Sequence, residues 1–195
     1  MTQQLSSIEL KNKKKRRGST TQLSPRLLVI AASLGFFLTA ACKKDHGSEN
    51  TGNLVDEYKG LPAQTVHELK ESAKATLRYK NLENALADGY MDINVVVQNM
   101  GFHYMKASLA DTVFDYTKPE ILVYNKNHEG KIELVAVEYA VPISLRPDAA
   151  PEGFTGTSDV WKRDTGFGLW LLHAWVWSYN PQGVFNPTNP GIHLH

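Results

Sequence analysis

Apolar side chains recur at steps of three and four along residues 61–90: Val66, Leu69, Ala73, Leu77, Leu82, Ala85 and Leu86, with Lys70, Glu71, Lys74, Arg78 and Glu83 between them. A repeat of this kind predicts a helix or helix pair that lays one face on a sheet. Thr65 with Glu68 three places on fits a capping box, and Gly89 is a natural stop. Beyond Gly89 the chain turns to β-branched and aromatic residues, and segments 93–97 (INVVV), 102–106 and 120–124 (EILVY) read as strands. Asn127-His128-Glu129-Gly130 reads as a turn into a long strand over 131–141, so that the last two strands form a hairpin. A Pro- and Gly-rich excursion over 142–166 is long for a compact domain, which suits a lid or a covering loop. The most apolar strand of all follows at 168–177, and then a tail whose three Asn-Pro steps exclude helix and central strand. The expected fold is α+β: an N-terminal helix or helix pair packed on a curved antiparallel β-sheet, with a partial barrel as one form of it.

Upstream of this pattern lies a different one. Lys11, Lys13, Lys14, Lys15, Arg16 and Arg17 precede an apolar run from Leu27 to Ala41 that ends in small residues. This is the layout of an export signal. The run is short of the roughly 20 residues that cross a bilayer comfortably, which favours cleavage over retention as an anchor. Leu38-Thr39-Ala40-Ala41-Cys42 resembles the lipobox of bacterial lipoproteins, although Thr39 stands where that family prefers Leu. The resemblance implies lipidation of Cys42, the only cysteine, cleavage before it, and anchoring to a bacterial membrane, the outer membrane favoured, with the domain outside the cytoplasm. An ordinary secreted protein and an uncleaved signal anchor are the alternatives. Residues 1–41 are thus the expected signal peptide, 42–60 a polar flexible tether, and 61–195 a single domain, large enough for a core without disulfides.

Charge changes meaning once the signal is set aside. After Cys42 there are 14 Lys and Arg against 19 Asp and Glu, a net of −5, although the whole chain stands at +1. No basic face remains for nucleic acid. There is no G-x-S-x-G, phosphate loop, H-E-x-x-H or dinucleotide fingerprint.

Three strands each carry one residue out of keeping with its neighbours: His103 among aromatics, Glu138 in an apolar run, and His173 in another. With a period of two, His173 shares a face with Leu169, Leu171, Trp175 and Trp177, and Glu138 with Leu134, Ala136 and Ala140. A buried carboxylate needs a partner or a shifted pKa. Two His and one carboxylate can form a facial triad for a divalent metal such as zinc, iron or manganese, with open positions for water or a small ligand. Tyr104 and Tyr139 would brace the ligands, and Gly101 with Ala136 or Ala140 would leave room. Hydrolytic and oxygen-dependent chemistry both fit, and Glu138 could instead serve as a base.

The segments 100–104 (MGFHY), 135–142 (VAVEYAVP) and 172–190 (LHAWVWSYNPQGVFNPTNP), preceded by 85–93 (ALADGYMDI), resemble an uncharacterised family of bacterial secreted and lipid-anchored proteins. All three odd residues fall within the matching segments. The resemblance implies no particular reaction, and whether the chain is an enzyme stays open.

Two other readings compete. Glu138 could pair structurally with a histidine, Arg146 or Arg163 in an envelope protein without metal. Alternatively Trp170, Trp175, Trp177, Tyr179, Tyr104 and Tyr139 could line an aromatic cleft in a non-catalytic module that binds a small-molecule ligand. His193 and His195 form an H-x-H that reads as a frayed terminus before it reads as a metal site.

Overall fold

The computed structural model describes residues 58–194. Cys42, the signal layout, most of the expected tether and His195 lie outside them. The chain joins the domain at a turn over 58–60, where Tyr58 already packs against the core and its carbonyl accepts from Leu61 N at 3.2 Å. Among the described residues, no helix is long and apolar enough to cross a membrane.

The expected helical stretch divides in two. Helix α1 (Ala63–Thr76) runs into a 3-10 turn (Leu77–Lys80), and α2 (Leu82–Ala87) restarts with the Asn81 side chain accepting from Glu83 N at 3.1 Å. Gly89, at φ +93°, ends α2: Tyr90 N donates to Ala85 O and Gly89 N to Leu86 O, both at 3.0 Å. The start of α1 differs from expectation. Pro62 occupies the N-cap, and Thr65 and Glu68 do not form a capping box. Both are buried and turned to the covering loop: Thr65 Oγ1 donates to Thr155 O, while Glu68 accepts from Thr155 N at 2.8 Å and Thr155 Oγ1 at 2.6 Å.

Six strands follow: β1 (Met91–Val97), β2 (Gly101–Met105), β3 (Ile121–Lys126), β4 (Ile132–Pro142), β5 (Lys162–Asp164) and β6 (Leu169–Ala174). They form one antiparallel sheet in the order β1-β2-β3-β4-β6-β5, curved as a half-barrel. The fold is therefore α+β, with the helices first in the domain but some sixty residues into the chain. The β3–β4 hairpin closes as the turn residues predict, Gly130 N donating to Asn127 O at 2.8 Å.

Alternation along the strands sorts their side chains onto two faces. Leu122, Tyr124, Val137, Tyr139, Leu172 and Ala174 join Leu69, Ala85, Tyr90 and Phe154 in the main core, on the helix side. Ile121, Val123, Ala136, Ala140 and Trp175 form a smaller cluster on the other face, together with Ile192 from the tail. A bulge at Val135 moves Leu134 to the helix side, and the chain leaves β6 after Ala174, which puts Trp177 there as well. Much of the excursion over 142–166 serves as a covering loop on the helix side, with Phe154 buried in the main core, but its end forms the edge strand β5 against β6, where only loop is expected from the sequence.

Candidate metal centre

His103, Glu138 and His173 come from β2, β4 and β6 and all point to the face away from the helices. Glu138 and His173 are direct cross-strand partners, so neighbouring backbones place them side by side. His103 has a strand between it and Glu138. Its partner on β3 is Val123, and that of Glu138 is Ile121. Two strand spacings are about 9.6 Å, and the two-residue offset between Val123 and Ile121 adds about 7 Å along the strands; the curvature of the sheet and the two side chains close this gap over β3. His173 Nδ1 stands 3.0 Å from Glu138 Oε1, and His103 Nε2 stands 3.8 Å from Glu138 Oε2. One ligand atom from each residue lies within 4.8 Å of the others. Donors bound to one ion at about 2.1 Å stand roughly 3.0 to 3.4 Å apart at octahedral or tetrahedral angles, so the two measured pairs bracket the required spacing.

All three are sealed from solvent, with exposures of 3%, 3% and 2%. Burial alone would raise the Glu138 pKa; the charge and hydrogen bond of His173, then the charge of His103, outweigh it and hold the carboxyl below its usual range. Burial pushes the His103 imidazole down, more strongly than Glu138 lifts it.

Orientation is supplied from outside the triad. His103 Nδ1 donates to Val95 O at 3.0 Å, which leaves Nε2 with its lone pair towards Glu138. That carbonyl is available because β1 shifts register between Asp92 and Val96, around Asn94 at φ 56°. His173 stacks on Trp175 at 5.4 Å between ring centres. Its Nε2 is buried without a hydrogen-bond partner, so the ring's polar needs are incompletely met by protein groups.

The remaining candidates go elsewhere. Tyr104 and Tyr139, expected to brace the ligands, belong to the helix side, where the Tyr139 hydroxyl bonds Ser72 Oγ at 2.8 Å and donates to Tyr116 O at 2.9 Å. A neighbour in sequence along a strand necessarily faces away. Gly101 does not make space for a ligand: it has φ +124°, and a Cβ there would sit 2.2 Å from Tyr124 O. Glu138 pairs with the histidines, while Arg163 lies over the Trp170 ring at 5.8 Å. The proposed aromatic cleft is divided by the sheet, with Trp175 on the triad face and Tyr139, Tyr104 and Trp177 on the helix face. His193 is exposed. Val95 and Ile192 were not identifiable from sequence, because a backbone carbonyl has no residue signature and one tail isoleucine resembles any other.

Comparison with protein-family models, curated proteins and solved structures finds no match.

Proposed function

We propose that the chain is a membrane-anchored bacterial lipoprotein whose domain holds one divalent metal ion at His103, Glu138 and His173. The single observation that carries the metal reading is the convergence of these three buried donors within 4.8 Å. The cell-envelope part rests on the basic block, the apolar run and the lipobox-like Leu38–Cys42 segment, with attachment through Cys42.

The donor set of two imidazoles and a carboxylate suits zinc, iron or manganese. Such an ion supplies Lewis acidity at its open positions and activates bound water. The protein's own part is clearer: Val95 O fixes the His103 tautomer, Trp175 backs the His173 ring, and Glu138 offers one oxygen towards each histidine. With Glu138 committed between both rings, it acts as a ligand in preference to a base.

Elemental analysis of the purified chain tests this reading. One equivalent of metal is expected in the wild type and none in His103→Ala or His173→Ala. A second reading, a structural Glu–His network without metal, draws on the 3.0 Å contact between His173 Nδ1 and Glu138, which is already a complete hydrogen bond. It predicts no metal in any form and a stability loss of about 3 to 5 kcal/mol on removing either partner.

A further inference from the structure

The triad is enclosed, and one segment from outside the sheet joins the apolar cluster on its face. Of the residues buried in the triad-side cluster, all come from β3, β4 or the position just past β6 (Trp175) except Ile192, which is 4% exposed. Ile192 shares this cluster with Trp175, stacked on His173, and with Val123, the cross-strand partner of His103. It belongs to a strap with two unequal attachments. At its root, Asn189 is fully buried: its N donates to Asn99 O at 2.8 Å, its Nδ2 to Tyr179 O at 2.9 Å, and its Oδ1 accepts from Gly191 N at 2.9 Å. Pro187 and Pro190 flank this anchor and stiffen it. Further on, Ile192 N donates back to Asn189 O at 3.0 Å, which ties it to the anchor, and the strap is held to the sheet by the burial of Ile192 and by Asn125 Nδ2 donating to His193 O at 3.2 Å. Asn125 lies on β3, on the triad side, and its Oδ1 is buried without a hydrogen-bond partner.

We propose that residues 191–193 form a gate over the triad, hinged at the Asn189 anchor, and that lifting Ile192 from its seat is the route by which a metal ion and small ligands reach His103, Glu138 and His173. This role presupposes that the triad holds an ion, whereas the opening itself is a property of the metal-free protein and is measured without one. A local opening of this kind sets the rate of access through its open fraction. An ion that binds equally well under the open and the closed strap has its association and release accelerated together, with its equilibrium affinity unchanged.

The test uses the whole chain and two readouts, with Leu69→Ala as the control, since Leu69 is buried in the main core on the opposite face. In metal-free protein, carbethoxylation of His103 and His173 by diethyl pyrocarbonate, followed peptide by peptide, is expected to be slow in the wild type. It should be at least about tenfold faster in Ile192→Ala, with little change in Leu69→Ala. In zinc-loaded protein, release to a chelator should accelerate by a similar factor while the Kd stays within about twofold. Asn125→Ala removes the second attachment without emptying the cluster and should move both rates in the same direction by less.

Rates in Ile192→Ala and Asn125→Ala equal to wild type would overturn the gate, as would Leu69→Ala matching Ile192→Ala, because the triad would then be reached by wider unfolding. Zinc uptake with strap-independent rates defeats the gate alone and leaves the metal centre standing. A wild type that takes up none of zinc, iron(II) or manganese(II) defeats the metal reading, and the gate as a metal gate with it, whatever carbethoxylation reports about strap opening.

Discussion

Glu120 and Glu138 are both buried at 3% exposure on one hairpin, yet their surroundings favour opposite charge states. Glu138 faces two imidazoles and is held below the usual carboxylate range against its own desolvation. Glu120, just before β3, has burial as its dominant influence; one bond from Ala140 N at 3.0 Å opposes it, Asp111 and Asp115 add to it, and its pKa rises from 4.5 to about 7. A carboxyl whose folded pKa is raised stabilises the fold fully below its unfolded value, and that contribution is lost as pH rises through the folded value. Between about pH 4.5 and pH 7 the shift corresponds to roughly 3 kcal/mol. Glu120→Gln keeps an acceptor for Ala140 N and removes the titration. Urea denaturation at pH 5 and pH 8 should therefore show the variant gaining about 2.5 kcal/mol relative to wild type on going to the higher pH; parallel curves would refute this. Glu138 was legible from sequence because it interrupts an apolar run. Glu120 opens its segment, and nothing local distinguishes it from an exposed strand end.

The helix shows why periodicity located an element better than it located its face. Leu77 and Leu86, both on the expected apolar stripe, are 54% and 43% exposed, whereas Thr65, Glu68, Ser72 and Thr76 are buried beside Leu69. The opposing surface presents polar atoms: the Tyr139 hydroxyl meets Ser72, and Trp177 Nε1 donates to Thr76 Oγ1 at 3.1 Å. A polar stripe satisfies groups that an apolar one would leave unpaired. Every strand but β5 was legible in type, and alternation correctly separated Ala136 and Ala140 from Val137 and Tyr139; β5, the bulge at Val135 and the early end of β6 were not legible, because each depends on a partner distant in sequence. Gly101 gives this scale its prediction. Its φ of +124° and the approach of Tyr124 O at 2.2 Å to a would-be Cβ allow only glycine where β2 begins, two residues before His103. Gly101→Ala is expected to cost about 3 kcal/mol or more in chemical denaturation and to lower metal occupancy through displacement of His103. Unchanged stability would contradict the strained placement.

For the whole molecule, the proposed export signal and the folded domain occupy different parts of the chain. In the proposed anchoring, Cys42→Ser moves the protein from the membrane fraction to the soluble fraction of the expressing bacterium, with the domain's melting behaviour unchanged; retention on the membrane would count against lipidation at that residue. Local pattern alone determined that the domain is α+β and that His103, Glu138 and His173 are out of keeping with their strands, because hydrophobic period, turn chemistry and a lone polar residue are properties of neighbours along the chain. Tertiary structure decided what those residues face. Register put Glu138 opposite His173, the curved sheet brought His103 across β3, and the tail supplied Ile192 as cover. Each of these depends on contacts between segments far apart in sequence, whose distances no periodicity contains.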